Sequence, residues 1–234
     1  MNILALDTTL GACSAAVART GTGADAPKVF SAYELRTREH AEAIVPMMTR
    51  VMDEAGLAYD ELDAIAVTTG PGSFTGVRVG VSTARGLALA LSLPLIGVTS
   101  LEVMAQMALK QVENAPDILG VVVDARRGEV YMALFDGEGA VISDPSALTP
   151  DQAAELIPRN GRVVLAGGGS GLVSGAATST GLEFDTVLPD LQPRASTLAS
   201  MALTRNACEG PLHPLYLRPP DAKPQTGKAI PRRG

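Results

Sequence analysis

The sequence has no tryptophan and only four phenylalanines and four tyrosines among its 234 residues. The core must therefore be built from aliphatic side chains, and few rings are left on which nucleic-acid bases could stack. Cysteine and histidine are equally scarce, with two of each: Cys13, Cys208, His40 and His213. These residues are too few and too far apart to indicate a disulfide framework or a zinc site, which is typical of a reducing compartment.

Positive charge is also in short supply. The chain carries 19 Lys and Arg against 25 Asp and Glu, for a net charge of −6. No global positive field draws it onto nucleic acid or onto an anionic membrane, so we expect any role on RNA to depend on a partner.

A long apolar run is missing too. The longest, residues 86–98, is shorter than the roughly 20 residues of a membrane span and contains Pro94. The first residues, MNILALDTT, have no basic residue before the apolar run, which Asp7 soon interrupts, so they do not resemble a signal peptide. We expect a cytoplasmic protein with no membrane partner.

What the sequence does contain is a mixed α/β pattern. Short apolar segments and helical periodicity alternate through the first hundred residues. They predict strands at 2–7, 13–18, 29–35, 63–69 and 95–98, a helix with Thr37 as its N-cap that ends at Gly56, and a helix over about 75–93.

A second unit repeats part of this plan. The segments ILGVVVDA and EVYMALFD form a predicted hairpin with Asp124 and Gly128 near its turn, as Asp7 and Gly11 are in the first hairpin. The repetition predicts two lobes that face each other across a cleft. We expect an N-terminal lobe at 1–100 with a helix at 195–208 packing back on it, a smaller lobe at 101–194, and a flexible tail at 217–234.

The loop GPGSFTG at residues 70–76 lies between a predicted strand and a predicted helix, a position where many proteins hold a phosphate. It lacks the lysine of a Walker loop, and its glycine spacing differs from the dinucleotide-binding pattern. Two interpretations remain open. The loop is a tight turn, or the backbone N–H groups of Ser73, Phe74 and Thr75 accept an anion.

Small residues recur every fourth position along the helix that follows: Gly76, Gly80, Ala84 and Ala88. They form one ridge that another backbone can approach closely, either the lobe's own sheet or another subunit.

Candidate catalytic residues do not form a set. His40 has Ile44 four residues later, where a helical metal site needs a second ligand, so a surface or capping role is favoured. Asp7 could position a metal–phosphate group or cap its turn, and the cluster GGGSG could border an adenine or form a plain loop. The weak nucleotide-binding candidates are therefore Asp7, Thr8, Gly11, Gly168 and Gly169.

Five segments together resemble the TsaB (YeaZ-type) family: ILALDTTLGACSAAV, REHAEAIVP, AVTTGPGSFTGVRVGVSTARGLA, VVDARRGEVY and PLYLR. Its members are the non-catalytic subunits of the bacterial machinery that makes threonylcarbamoyladenosine in tRNA. The resemblance implies an actin-like (ribonuclease H-like) two-lobe α/β fold with a reduced second lobe.

The resemblance also implies partners. The family pairs with the catalytic subunit TsaD, which carries a metal-binding H-x-x-x-H motif. Here Ile44 stands in place of the second histidine, so we expect no catalytic residue and no metal. We also expect no resident cofactor, with ATP or ADP only in the complex. TsaE and the threonylcarbamoyl-adenylate synthase are functional partners, and tRNA binds mainly through the complex. Whether the chain alone is a homodimer or a monomer stays open. The expected interface comprises His40, Glu42, Ile44, Met48, Met52, Gly76, Val77, Gly80, Ala84 and Ala88.

Two other classes compete with this accessory role. An ATPase or small-molecule kinase of the same fold would use Asp7 and the glycine cluster. A peptidase would need a nucleophile or metal set that the motifs do not supply.

Overall fold

Two five-stranded sheets, each with helices on both faces, organise the chain. The computed structural model describes residues 1–21, 26–178, 181 and 184–218. Of the tail expected at 217–234, residues 219–234 lie outside this description. No helix in the described ranges is long and apolar enough to cross a membrane.

The first sheet has the order β3-β2-β1-β4-β5. Strands β1 to β3 form an antiparallel meander, and β1, β4 and β5 are parallel. Its elements are β1 (Asn2–Asp7), β2 (Ala12–Arg19), β3 (Lys28–Leu35), α1 (His40–Ala55), a 3-10 turn (Tyr59–Glu61), β4 (Ala64–Thr68), α2 (Phe74–Leu91) and β5 (Leu95–Val98).

The second sheet repeats this arrangement, with the order β10-β9-β6-β7-β8 and the same pattern of antiparallel and parallel neighbours. Its elements are α3 (Ser100–Leu109), β6 (Ile118–Arg126), β7 (Glu129–Asp136), β8 (Val141–Leu148), α4 (Pro150–Leu156), β9 (Val163–Ala166), α5 (Ser170–Thr178), β10 (Asp185–Val187) and α6 (Ala195–Ala202). The duplicated topology confirms the two-lobe, actin-like α/β fold. The second lobe is reduced, since α4 and α5 have 7 and 9 residues against 16 and 18 in α1 and α2.

Three apolar layers hold the sheets and helices together. Helices α1 and α2 cover the outer face of the first sheet, and α4 and α5 cover the outer face of the second. Between the sheets lie α3, on β6 and β7, and α6, which returns to β1, β2 and β3. Strands β1 and β4 are buried on both faces, which explains why they are continuous apolar runs rather than alternating ones.

Some predicted details are wrong. Thr37 is not the cap of α1, because the helix begins at His40 after Glu39, whose φ is 60° and whose carboxylate pairs with Arg36 instead. Strand β8, which contains Pro145, was not predicted. The structure places it at the edge of the sheet, where proline is tolerated.

Candidate functional site

The carboxylate with the most unusual surroundings is Asp7, at the carboxyl end of β1. It has no exposed surface, and its Oδ1 accepts hydrogen bonds from the hydroxyls of Thr9 at 2.7 Å and Thr68 at 2.5 Å. Its Oδ2 is buried and has no hydrogen-bond partner among the described residues. Burial raises the pKa of Asp7 to about 6, against the lowering effect of the threonine hydrogen bonds.

The loop GPGSFTG closes over this turn. The Thr8 hydroxyl donates to the Gly76 carbonyl at 2.7 Å, and the Ser73 N–H donates to the Thr9 carbonyl at 2.8 Å. A side chain at Gly72 or Gly76 would collide with the carbonyl oxygens of Thr9 and Thr8, respectively. The glycines therefore allow two backbones to touch. The expectation of a free Ser73 N–H was wrong because that group is already bonded.

The other residues expected to hold a nucleotide are engaged within the chain as well. The Gly11 N–H donates to Gln192 Oε1 at 2.7 Å, so the first hairpin turn is tied to the segment before α6. Gly169 is buried against β6, so Gly168 is the one exposed residue among the five nucleotide-binding candidates. The structure brings Asp7 and Thr8 together with the glycine loop.

The small-residue ridge of α2 packs on the chain's own sheet, the first of the two contacts left open by the sequence. A Cβ at Gly80 would lie 2.6 Å from Thr8 Oγ1 and 3.5 Å from Val67 Cγ2, while Ala84 and Ala88 are buried in the outer core. The expected partner interface needs correction for this reason. Of its residues only Glu42 is exposed; the buried ones are His40, Ile44, Met48, Met52, Gly76, Val77, Gly80, Ala84 and Ala88.

His40 is buried rather than a surface or capping residue, and its Nε2 has no partner among the described residues. Ile44 is 1% exposed in the same lobe. Burial raises the pKa of the Cys13 thiol to about 12, so it stays protonated at neutral pH and is a poor nucleophile. Within the described ranges, no cluster of three His, Cys, Asp or Glu residues is placed to hold a metal.

Helices α1 and α2 contact each other, and each has exposed outward positions that the sequence reasoning missed. We call these positions the helical outer face, and it consists of Val45, Pro46, Thr49, Ser82, Arg85 and Leu89. Its two large apolar side chains are well exposed, Val45 at 54% and Leu89 at 83%. The sequence did contain a signal for this surface: Val45 and Leu89 are apolar, yet they fall outside the helical periodicity of the buried positions.

A second missed feature is a strap formed by residues 208–218, which crosses from one lobe to the other. The Leu215 N–H donates to the Thr69 carbonyl at 2.8 Å in the first lobe. Three residues later, the Arg218 guanidinium donates to the carbonyls of Ala125 and Arg126 at 2.9 and 3.1 Å and pairs with Glu129 in the second. The segment PLYLR carried part of the family resemblance, but no structural role could be read from it.

Comparisons with known proteins agree with this architecture. A family model described as TsaD, tRNA N6-adenosine threonylcarbamoyltransferase, matches residues 33–187. The tRNA threonylcarbamoyladenosine biosynthesis protein TsaB of Escherichia coli is 44% identical over 135 residues, covering 58% of this chain and 55% of that protein. The TsaB protein of Haemophilus influenzae is 41% identical over 57% of this chain and 53% of its own length. The chain thus matches about half the length of these curated relatives.

More complete matches come from an uncharacterized protein and from solved structures. The Mycobacterium tuberculosis (strain H37Rv) protein is 34% identical, covering 95% of this chain and 94% of its own. An uncharacterized Pseudomonas aeruginosa protein with similarity to the peptidase YeaZ is 33% identical with a TM-score of 0.79, covering 93% of this chain and 99% of that one. A YeaZ structure from the same organism is 32% identical with a TM-score of 0.73, over 86% and 90% of the two chains.

Proposed function

The chain belongs to the TsaB (YeaZ-type) family of actin-like proteins, and from this premise we propose that it is an accessory subunit in tRNA threonylcarbamoyladenosine biosynthesis. In this role it binds and activates a TsaD-type transferase and performs no bond chemistry itself. The printed names of the E. coli and H. influenzae relatives support the pathway. The match to a transferase family model supports descent from the same fold as the catalytic subunit.

The observation that carries the accessory role is the closed turn at Asp7. A carboxylate that positions a metal-bound phosphate must be reached by that group. Here Asp7, Thr8 and Thr9 are 0% exposed, and the glycine loop occupies the adjoining space. These contacts favour an accessory subunit over an ATPase or kinase of the same fold.

The helical outer face supplies a docking surface for the transferase. Its exposed apolar side chains, Val45 and Leu89, are flanked by polar groups such as Thr49 and Arg85, the usual composition of an interface centre with its rim. The same face would serve a homodimer when the transferase is absent, so the two assemblies compete. TsaE and the threonylcarbamoyl-adenylate synthase then act on the complex rather than on this chain alone. Likewise, tRNA binds mainly to the complex, and ATP or ADP binds only there.

Co-purification with TsaD tests this assignment. Leu89→Arg places a charge at the more exposed of the two apolar side chains of the face and should reduce recovery of the complex by at least about tenfold, because an uncompensated charge in an interface costs several kcal/mol. The matched control is Ile142→Arg on the edge strand of the second lobe, where the side chain is 50% exposed. Wild-type recovery of the Leu89→Arg complex would contradict the proposed interface.

A further inference from the structure

Two of the chain's few aromatic rings lie together on the surface. Phe74, at the start of α2, is 54% exposed, and Tyr216, in the strap, is 47% exposed. Their ring centroids are 5.3 Å apart, and the Arg78 guanidinium carbon lies 4.8 Å from the centroid of the Phe74 ring. Exposed rings in contact with an arginine are a platform on which a further planar group can stack.

A second arginine lies in the turn that the strap contacts. Arg218, two residues after Tyr216, bonds to the backbone carbonyl of Arg126, which brings the β6–β7 turn next to the strap. The Arg126 side chain is 85% exposed and pairs with Asp124, whereas that of Arg218 is only 25% exposed. Arg218 is thus a positioning residue, and Arg126 presents charge to solvent. We call Phe74, Arg78, Arg126 and Tyr216 the aromatic–arginine corner.

Charge along the sequence points the same way. The protein is acidic overall, yet the segment that directly follows Arg218 contains one acidic residue, Asp221, and four basic ones: Lys223, Lys228, Arg232 and Arg233. In an otherwise acidic chain, a segment of sequence with this excess of positive charge is suited to a polyanion.

We propose that the aromatic–arginine corner binds unpaired nucleotides of the tRNA substrate, with bases stacked on Phe74 and Tyr216 and phosphates contacted by Arg78 and Arg126. This rests on the proposed function, which supplies a tRNA. Recognition of RNA loops depends on bases that stack on aromatic or guanidinium planes, and arginine binds phosphate in a bidentate manner. A protein partner is less favoured, since the charged side chain in contact with the rings, Arg78, is basic, where an interface rim would carry charges of both signs.

Fluorescence anisotropy tests the proposal with a labelled anticodon stem-loop and the full-length chain, alone and in complex with TsaD. The variant Phe74→Ala with Tyr216→Ala should weaken binding at least about fivefold, since one stacked base contributes about 1–3 kcal/mol. It should leave the dependence of log K on log salt unchanged. Arg78→Gln should lower that slope by about 0.7, the value for one phosphate contact on a single strand.

Matched variants separate the corner from general effects. Arg50→Gln removes an exposed arginine of α1 that pairs with Glu54, and it should leave both affinity and slope unchanged. Phe74→Leu keeps an apolar side chain but removes the ring, so it should reproduce the weaker binding even if the alanine variant is destabilised. A fully paired RNA hairpin of equal length should bind with the same affinity to wild type and to the ring variants.

Two results would overturn the proposal. One is unchanged stem-loop affinity in Phe74→Leu and in the double variant, both alone and in the complex. The other is loss of TsaD co-purification in the ring variants with RNA affinity intact, which would make the corner a protein-docking site. Neither result affects the accessory role, which Leu89→Arg tests separately.

Discussion

The two hairpin turns occupy equivalent places in the two lobes, and their surroundings are opposite. In the first, Asp7 is fully buried, the Gly11 N–H is bonded to Gln192, and the loop GPGSFTG packs on the turn. In the second, Asp124 is 33% exposed, and the turn that follows it lies on the surface. One topology thus gives a closed turn and an open one, and the difference lies in the segments packed against each turn.

The conformations of the turns follow this difference. Arg126, Arg127 and Gly128 all have positive φ, at 64°, 57° and 77°, which is costly for the two arginines. Hydrogen bonds from Arg218 to the carbonyls of Ala125 and Arg126 help to hold that backbone. At the first turn the equivalent stabilisation comes from backbone contacts that only glycine permits. We infer that the closed turn serves stability and the open turn serves recognition.

The largest effect should come from filling the contact at the closed turn. Gly76→Val would place a branched side chain on the Thr8 carbonyl and the Ser73 hydroxyl, and we expect a loss of about 3 kcal/mol or more in the free energy of unfolding. Denaturant titration measures this loss. Gly86→Ala, ten residues further along α2 where a Cβ meets nothing within 4 Å, is the control and should stabilise the protein by up to about 1 kcal/mol. Equal stability of the two variants would show that the loop does not close on Thr8.

The next effect concerns the pH dependence of stability. The folded-state pKa of Asp7 is raised from 3.8 to about 6, so between these values the folded protein binds more protons than the unfolded chain. Protonation of Asp7 therefore stabilises the folded state fully below pH 4, and this stabilisation is lost as the pH rises through 6. The loss amounts to about 3 kcal/mol, at 1.36 kcal/mol per unit of pKa difference. Asp7→Asn should flatten this part of the profile and raise stability at pH 8 relative to wild type. Thermal melting across pH 4–8 measures it, and identical profiles for the two proteins would refute the assignment.

A smaller effect is expected at the open turn. Arg218→Ala removes two hydrogen bonds to backbone carbonyls and the pair with Glu129, and should cost about 1–2 kcal/mol, with faster hydrogen exchange at residues 125–129. Arg50→Ala, which removes an exposed pair within α1, should cost no more than about 0.5 kcal/mol. Unchanged hydrogen exchange at residues 125–129 in Arg218→Ala would contradict a stabilising role of the strap at this turn of the second lobe.

The fold was largely predictable because the spacing of apolar residues indicates its elements. Both hairpins and the two long helices were located from this spacing. The spacing of Gly76, Gly80 and Ala84 also predicted a close approach. It could not specify which backbone approaches, since the answer depends on Thr8, 68 residues earlier than Gly76. The buried state of His40 and the path of the strap were missed for the same reason. Neither has local periodicity, and both are fixed by tertiary packing.

The central claim is that this chain acts by docking and not by catalysis, and one measurement tests it directly. Threonylcarbamoyl transfer to tRNA is assayed with TsaD and the other components, adding wild-type chain, Asp7→Asn or Leu89→Arg. The account predicts near-wild-type transfer with Asp7→Asn and a loss of at least about tenfold with Leu89→Arg. Loss of transfer with Asp7→Asn in a folded, TsaD-bound complex, together with full transfer by Leu89→Arg, would contradict it.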